Sequence, residues 1–198
     1  PGNNYAHRMY SFRTSLVAQQ SPFQIGHQDR LMLLGSCFTE HIGNRLRERK
    51  FHANINPFGI VYNPMSIARC LSRLMAGNEP FSAADLFENM GLWHSWEHHG
   101  HFSKPDRDEA LAGINDAYTK AAKVLQQSNR LLLTLGTADV FWLAPHYSPE
   151  KIVANNHKMP AALFQQKQLS VGEVTDALLG HDGLALLQLG IRRYHHAW

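Results

Sequence analysis

Cysteine is scarce in this chain, because its 198 residues contain only Cys37 and Cys70. Two cysteines are too few for the disulfide framework of a small secreted domain. No apolar stretch approaches the roughly 20 residues that span a bilayer, and the first residues contain no signal-peptide core. We therefore expect a cytoplasmic location and no membrane partner.

Runs of positive charge are also missing. The formal net charge is +3 with neutral histidines, and the basic stretch at 45–50 is interrupted by Leu46 and Glu48. Such a stretch is typical of a solvated helix face, so we expect no nucleic-acid partner. Hydrophobic residues make up 44% and charged residues 18%, which is the composition of a folded protein, and the length favours one domain.

Two short apolar runs each end at small residues. Leu31–Leu34 is followed by Gly35 and Ser36, and Leu131–Leu135 is followed by Gly136 and Thr137. Runs of this kind are typical of buried strands in a parallel sheet. Helical patterns alternate with them, which predicts an α/β fold with a mainly parallel sheet.

The helices are predicted from periodicity and capping residues. The predicted segments are about Phe38 to Arg49 with Phe38, Ile42 and Leu46 on one face, a helix opened by Asn63-Pro64, a short helix around Leu86, Asp106 to Gln127, and Ser170 to Leu179. Val140–Leu143 and Ile152–Ala154 are predicted to pair as a hairpin. The apolar run at 184–189 gives no clear element.

The turn at Gly35–Cys37 is the first candidate site. Ligands bind beyond the carboxyl ends of parallel strands, so the turns after two neighbouring strands would line one crevice. Cys37 stands at the start of a helix, where the first N–H groups stabilise a thiolate or an oxyanion. The alternative is that Gly35 and Ser36 only make a tight turn and cap the helix.

Several motifs, in the same order, resemble those of the GSCFA family. Gly35–Glu40 resembles the signature for which that family is named, with Thr39 where the family has Ala. The other matches are Phe12–Thr14, Ser21–Phe23, Asn56–Pro64, Leu135–Ala138 and Val153–Pro160, the last with Asn156 where Cys is usual. The resemblance predicts a domain over residues 8–179, followed by an atypical tail at 180–198.

The GSCFA family is similar to the SGNH hydrolases, and this similarity implies a three-layer α/β/α fold and acyl-transfer chemistry. Laid over their Gly-Asp-Ser block, the nucleophile falls on Cys37, and Ser36 takes that role if the register differs by one residue. In their Gly-x-Asn-Asp block, Ala138 replaces the oxyanion-binding Asn. Asn56 and Asn155 are the candidate substitutes for that donor.

The family's late Ser-Pro-Val-Arg-His block has no counterpart in the sequence, and His181–Gly183 is only a faint echo of it. We therefore expect a sheet that is incomplete at its C-terminal end, and a fragment or a tail from an altered reading frame. His157, which matches a family histidine, is then the remaining candidate base, although a structural role in a turn is the alternative. Lys158 beside it is a candidate for binding an anionic group, or is simply solvated.

Histidines crowd into the segment 93–101. His94 and His98 have the i,i+4 spacing that binds metal on a helix. Their Trp and Gly neighbours instead indicate a strand or loop, so no metal is expected. His94 also matches a family position and is predicted to line the pocket. Cys70 lies on an apolar helix stripe and is expected to be inert core.

The resemblance implies an esterase or acyltransferase without a metal or redox cofactor. Its substrate would be a small-molecule acyl donor, with a carbohydrate ester or a coenzyme A thioester as candidates, and no oligomeric state is predicted. The N–H groups of Cys37 and of the Gly136 turn are expected to hold the oxyanion. The predicted substrate-binding residues are Gly35, Asn56, Gly59, His94, Gly136, Thr137, Asn155 and Lys158. The alternatives are a ligand-binding module that keeps the cleft without the chemistry, and a fragment without function.

Overall fold

The computed structural model describes residues 23–144 and 151–179. The strands are β1 (Arg30–Gly35), β2 (His52–Ile55), β3 (Leu86–Asn89), β4 (Leu92–Ser95), β5 (Arg130–Thr134), β6 (Asp139–Leu143), β7 (Ile152–Val153) and β8 (Phe164–Gln168). The helices are α1 (Cys37–Glu48), α2 (Pro64–Ala76), α3 (Arg107–Gln127) and α4 (Val171–Leu179), with short 3-10 turns at Ala83–Asp85, Gly100–Phe102 and Ala161–Leu163. The predictions made for Phe12–Thr14, for Ser21-Pro22 and for the tail at 180–198, with its apolar run, lie outside the described residues.

The two apolar runs form neighbouring strands of a parallel sheet in the order β2-β1-β5. In its register, Leu33 pairs with Ile55 on one side and with Leu132 on the other. Gly35 pairs with Thr134, so both strands end at the same edge. The prediction of an α/β fold is thereby confirmed, and the parallel pairing extends over these three strands.

The main core packs on β1. Met32 and Leu34, both almost completely buried, join the apolar stripes of α2 and α3. The stripe of α2 buries Ile67, Cys70, Leu71 and Leu74, and that of α3 buries Ile114, Tyr118, Ala121 and Leu125. In each helix these residues recur three or four positions apart, the spacing that places them on one face.

Capping side chains fix where the helices begin. The side chain of Asn63 accepts the N–H of Ser66 at 2.8 Å at the start of α2, and Asp106 accepts the N–H of Glu109 at 2.8 Å at the start of α3. At the start of α4, Ser170 and Glu173 bind each other's backbone N–H groups. The predicted helix starts are confirmed at these three positions.

Two details of the helix prediction are wrong. Phe38 is 59% exposed, whereas Thr39 and Gly43 are the buried residues of α1. The cause is close approach: a Cβ at Gly43 would lie 2.6 Å from the side chain of Ile55, so α1 presses this glycine face onto β2. Around Leu86 there is a 3-10 turn that ends at Asp85, and Leu86 itself begins β3.

The remaining strands are antiparallel. The predicted hairpin is confirmed, because Phe141 pairs with Val153 and Trp142 with Ile152. β8, which the sequence did not predict, adds to the other side of β6, and β3 pairs with β4 in a separate hairpin. Within residues 23–144 and 151–179, no helix has both the length and the apolar character needed to cross a bilayer.

Candidate active site

The turn after β1 is held by its backbone. Gly35 has φ +147°, and a Cβ there would lie 2.1 Å from the carbonyl oxygen of Thr134. Its N–H donates to Asn56 Oδ1 at 2.8 Å, and its carbonyl accepts the N–H of Val61 at 3.0 Å. Only glycine fits this close approach, so the turn is locked between β5 and the segment after β2.

Ser36 and Cys37 have different surroundings in this turn. Ser36 is buried, its N–H donates to the Thr134 carbonyl at 3.3 Å, and its hydroxyl lies 3.1 Å from the Thr134 hydroxyl. The hydroxyl of Thr39 contacts Thr134 as well. Cys37 is an exposed free cysteine and is the first residue of α1. Of the two candidate nucleophiles, Cys37 is the one that solvent reaches.

The first N–H groups of α1 belong to Cys37 and Phe38. They precede the first intrahelical hydrogen bond, and the side chain of Ser36 does not cap the helix. The positive end of a helix of 12 residues favours negative charge at this position. The arrangement leaves two donors beside the Cys37 thiol.

The N–H groups of the Gly136 turn, which were expected to hold the oxyanion, already have a partner. The N–H of Gly136 donates to the carbonyl of Tyr62 at 2.8 Å, and the N–H of Thr137 contacts the same oxygen at 3.3 Å. The Thr137 hydroxyl donates to Asp139 Oδ2 at 2.9 Å. The Tyr62 carbonyl therefore occupies the N–H donors of this turn. The turn itself lies next to the side chain of Ser36.

The two candidate asparagines differ in what they offer. Asn56 is buried with φ +43°, its Oδ1 accepts from Gly35, and its Nδ2 has no partner among the described residues. Because that Nδ2 is itself buried, Asn56 supports the turn from behind. Asn155 Oδ1 accepts the N–H of His157 at 3.0 Å, and its side chain lines a cavity.

This cavity has a volume of about 460 Å³, and its lining does not include Gly35, Ser36 or Cys37. Tyr62 and Thr137, which both line it, contact the Gly136 segment next to Ser36. Other lining residues are Ile60, Asn63, His99, Asp139, Phe141, Val153, Ala154, Asn155, Asn156, Ala161, Phe164 and Gln166. Of the predicted substrate-binding residues, Thr137 and Asn155 thus line one cavity.

Gly59 supports the cavity wall from outside the lining. Its φ is +79°, and a Cβ there would lie 2.3 Å from the Cβ of His99. His99 also donates its N–H to the carbonyl of Phe58 at 2.9 Å. The glycine therefore allows the segment after β2 to approach a cavity-lining histidine.

His157 lies against the β3–β4 hairpin. Its Nε2–H donates to the carbonyl of Ser95 at 2.8 Å, and its ring centroid lies 4.5 Å from that of His94. Burial lowers the pKa of His157 to about 4, so the ring is neutral near neutral pH. No hydrogen bond joins it to Cys37 in the described part of the chain. His157 therefore lies in a turn, and the Ser95 carbonyl occupies its Nε2–H.

The other predicted polar residues lie outside the cavity. His94 Nδ1 lies 2.6 Å from Ser103 Oγ, and its Nε2–H donates to the Asn89 carbonyl at 3.2 Å, so both ring nitrogens have partners. Lys158 is exposed, and neither residue lines the cavity.

His98 is completely buried, with its ring centroid 4.5 Å from that of Phe58 and its Nδ1 2.9 Å from Ser95 Oγ. Burial lowers the pKa of His98 to about 3, with a smaller contribution from the positive charge of Arg73. No group of three metal-ligating side chains occurs among residues 23–144 and 151–179.

The sequence analysis did not predict four polar residues that line the cavity, namely Tyr62, His99, Asp139 and Gln166. His99 was seen only as part of a histidine cluster, and Gln166 lies on the unpredicted strand β8. Asp139 had a usable signal, because it occupies the last position of the Gly-x-Asn-Asp block.

The fold and the site together define an α/β protein with an exposed thiol at a strand-to-helix turn and a cavity of mixed polar and apolar lining. The family model described as the GSCFA family matches residues 30–184, so the chain belongs to the GSCFA family. No curated protein and no solved structure matches the chain.

Proposed function

We propose that this GSCFA-family protein is an acyl-transfer enzyme, an esterase or acyltransferase, with Cys37 as its nucleophile. The observation that carries the proposal is the exposed Cys37 thiol at the first residue of α1, directly after a buried parallel strand. Ser36, the competing candidate, is buried and bound to Thr134. The cavity lined by Tyr62 and Thr137 supplies space for a substrate.

The proposed reaction has two halves. The sulfur of Cys37 attacks the carbonyl carbon of an ester, and the carbonyl oxygen becomes an oxyanion near the N–H groups of Cys37 and Phe38. The C–O bond to the leaving group breaks, the alcohol departs with a proton, and a thioester remains on Cys37. Water or an acceptor hydroxyl then attacks the thioester carbon, loses its proton, and releases the thiol.

The base of this reaction is a separate part of the proposal. His157 stays the base that the resemblance implies. Burial lowers its pKa to about 4, so the ring is neutral near neutral pH but accepts a proton only weakly. Its Nε2 already donates to Ser95, so only Nδ1 is left to accept a proton. Replacement of His157 by Gln then lowers the rate of acylation without removing the thiol.

Intact-protein mass spectrometry after incubation with p-nitrophenyl acetate tests the nucleophile. We expect one acetyl group on the native chain and none on Cys37→Ala. Ser36→Ala is the matched control at the neighbouring position and keeps the adduct. An adduct that persists in Cys37→Ala and disappears in Ser36→Ala overturns the assignment in favour of Ser36.

The second candidate function is a ligand-binding module. It is favoured by Ala138, which stands where an oxyanion-binding Asn is expected, and by the Tyr62 carbonyl that occupies the N–H groups of the neighbouring turn. Such a module binds ligand in the cavity while Cys37 stays unacylated by activated esters. The mass measurement therefore separates the two functions.

We also propose a three-layer α/β/α arrangement of the SGNH type and a cytoplasmic location. Contacts of α1 with β1 and β2, together with the packing of α3 on β1, support the layering. The two free cysteines support a reducing compartment, because the proposed reaction needs Cys37 as a thiol.

A further inference from the structure

One wall of the cavity is a single face of the second sheet. Val153, Phe141 and Gln166 stand in register across β7, β6 and β8, and all three line the cavity. Side chains alternate along strands, so Asp139 and Phe164 belong to the same face. Their neighbours Trp142 and Gln165 point to the opposite side and do not line the cavity.

The polar groups of the cavity are almost all uncharged. Among the described residues that line it there is no lysine or arginine, and Asp139 is its one carboxylate. Oδ2 of Asp139 already accepts from the Thr137 hydroxyl at 2.9 Å. The amide side chains of Asn155, Asn156 and Gln166 supply neutral donors and acceptors. Oδ1 of Asn155 and Oδ1 of Asn156 each already accept one backbone N–H, which leaves each oxygen one further lone pair.

His99 adds a donor whose tautomer follows from its contacts. Its Nδ1 accepts the backbone N–H of His101 at 3.4 Å and lies 3.1 Å from the Nδ1 of the His101 ring. An imidazole nitrogen that accepts carries no proton, so in neutral His99 the proton is on Nε2. His99 lines the cavity, and Nε2–H is the ring donor that it can offer to a ligand there.

The rest of the lining is apolar and partly aromatic. Phe141, Phe164 and Tyr62 contribute aromatic rings to the lining beside the amide groups. A sugar ring has apolar C–H faces and a rim of neutral hydroxyls that both donate and accept, which matches this mixture. A phosphate-bearing ligand such as coenzyme A finds no cation in the lining to pair with its charge.

We propose that this cavity binds the acyl acceptor and that the acceptor is a neutral sugar. The inference rests on the proposed acyl-transfer function and names the acceptor in its second half. A sugar hydroxyl oxygen attacks the thioester carbon on Cys37, the C–S bond breaks, and the new C–O bond makes a sugar ester. The hydroxyl proton passes through solvent to the departing sulfur, so Cys37 returns to its starting thiol.

Saturation-transfer NMR on the full chain tests the binding half. The probes are a mixture of methyl glucoside, methyl galactoside, methyl mannoside and methyl N-acetylglucosaminide, with choline and coenzyme A as charged comparisons. We expect saturation of a glycoside that falls about threefold to tenfold in Gln166→Leu, since the substitution removes the hydrogen bonds of one amide. Gln165→Leu, the same change on the opposite face of β8, leaves the signal unchanged.

Three results of this experiment would overturn the proposal. Saturation of choline or coenzyme A alone, no glycoside signal, or a glycoside signal equally affected by the two glutamine variants each contradicts a neutral sugar site. Circular dichroism of both variants checks that they fold alike.

A second measurement separates this inference from the proposed function. Cys37 acetylated by p-nitrophenyl acetate is mixed with the glycosides, and acetylated glycoside is sought by mass spectrometry. Its formation in the native chain and its loss in Gln166→Leu support the acceptor site. If Cys37 is never acetylated but glycoside still binds, the acyl-transfer function fails and the sugar site stands. If Cys37 is acetylated and glycosides neither bind nor react, the sugar site fails alone.

Discussion

The turn at Gly35–Cys37 exposes a reactive side chain, whereas the histidines at the β3–β4 hairpin are buried. The turn has a fixed backbone and one exposed thiol. The hairpin gathers His94, His98 and His157, yet their rings are buried and hold internal hydrogen bonds. Availability of an atom to a ligand, more than the type of residue, therefore distinguishes a candidate site from a packed core.

The two cysteines extend this comparison with the largest expected effect. Cys37 is exposed, whereas Cys70 is 2% exposed, and burial followed by the nearby charge of Glu97 raises the pKa of its thiol well above the usual range. We expect a thiol reagent to modify Cys37 about a thousandfold faster or more, because Cys70 reacts only after the chain opens. Peptide mapping after timed labelling measures the ratio.

Labelling in concentrated urea is the control, since both thiols then react at similar rates. Equal labelling of both cysteines in the native chain would contradict the burial of Cys70 and with it the packing of α2.

Substitution of Gly35 tests how rigidly the turn is built. Gly35→Ala places a Cβ 2.1 Å from the Thr134 carbonyl at φ +147°, so we expect a loss of about 3 kcal/mol in the free energy of unfolding. Gly113→Ala is the matched control in α3, where nothing lies within 4 Å of the new Cβ. That change stabilises the helix by about 0.5–1 kcal/mol. Urea unfolding that shows equal effects would mean that the turn relaxes freely.

The stability of the protein at acidic pH tests the buried histidines at the β3–β4 hairpin. Burial lowers the pKa of His98 to about 3 and that of His157 to about 4, whereas both histidines titrate near 6.5 when unfolded. In this window the unfolded chain binds protons that the folded chain does not. Stability is therefore complete above about pH 6.5 and falls as the pH drops toward the folded pKa values.

The slope from His98 alone is up to about 1.4 kcal/mol for each pH unit, and His98→Phe removes that contribution. Urea unfolding at several values between about pH 4 and about pH 7 measures it. Ile114→Val is the control, because it weakens the core without removing a titratable group and keeps the slope. Equal slopes in the native chain and in His98→Phe would refute the buried neutral ring.

The elements that could be predicted are those encoded by a few neighbouring residues. The apolar runs of β1 and β5 and the caps at Asn63, Asp106 and Ser170 are each encoded within a few residues, and the structure confirms them. β8 escaped because Phe164–Gln168 has one apolar residue and is otherwise polar and exposed. Its pairing with β6 depends on the tertiary fold, and the five residues of the strand do not predict it.

The site divides in the same way. The Gly35–Cys37 turn was predictable because glycine, a small cap and a helix start stand together in the sequence. That the Tyr62 carbonyl binds the N–H groups of Gly136 and Thr137 was not predictable, since the partners are more than 70 residues apart. The contacts of His94 are closer in sequence, because Ser103 and the Asn89 carbonyl, nine and five residues away, bind its ring.

Phe38 gives the smallest expected effect. Its spacing with Ile42 and Leu46 predicts a buried position, yet it is 59% exposed, because Gly43 rather than the Phe38 stripe faces β2. Phe38→Ala should therefore change the free energy of unfolding by at most about 0.5 kcal/mol, whereas Phe58→Ala in the core should cost about 3–5 kcal/mol. Urea unfolding of both variants decides. A cost for Phe38→Ala comparable to that of Phe58→Ala would restore the stripe that periodicity predicts, and α1 would have to be rotated relative to the sheet.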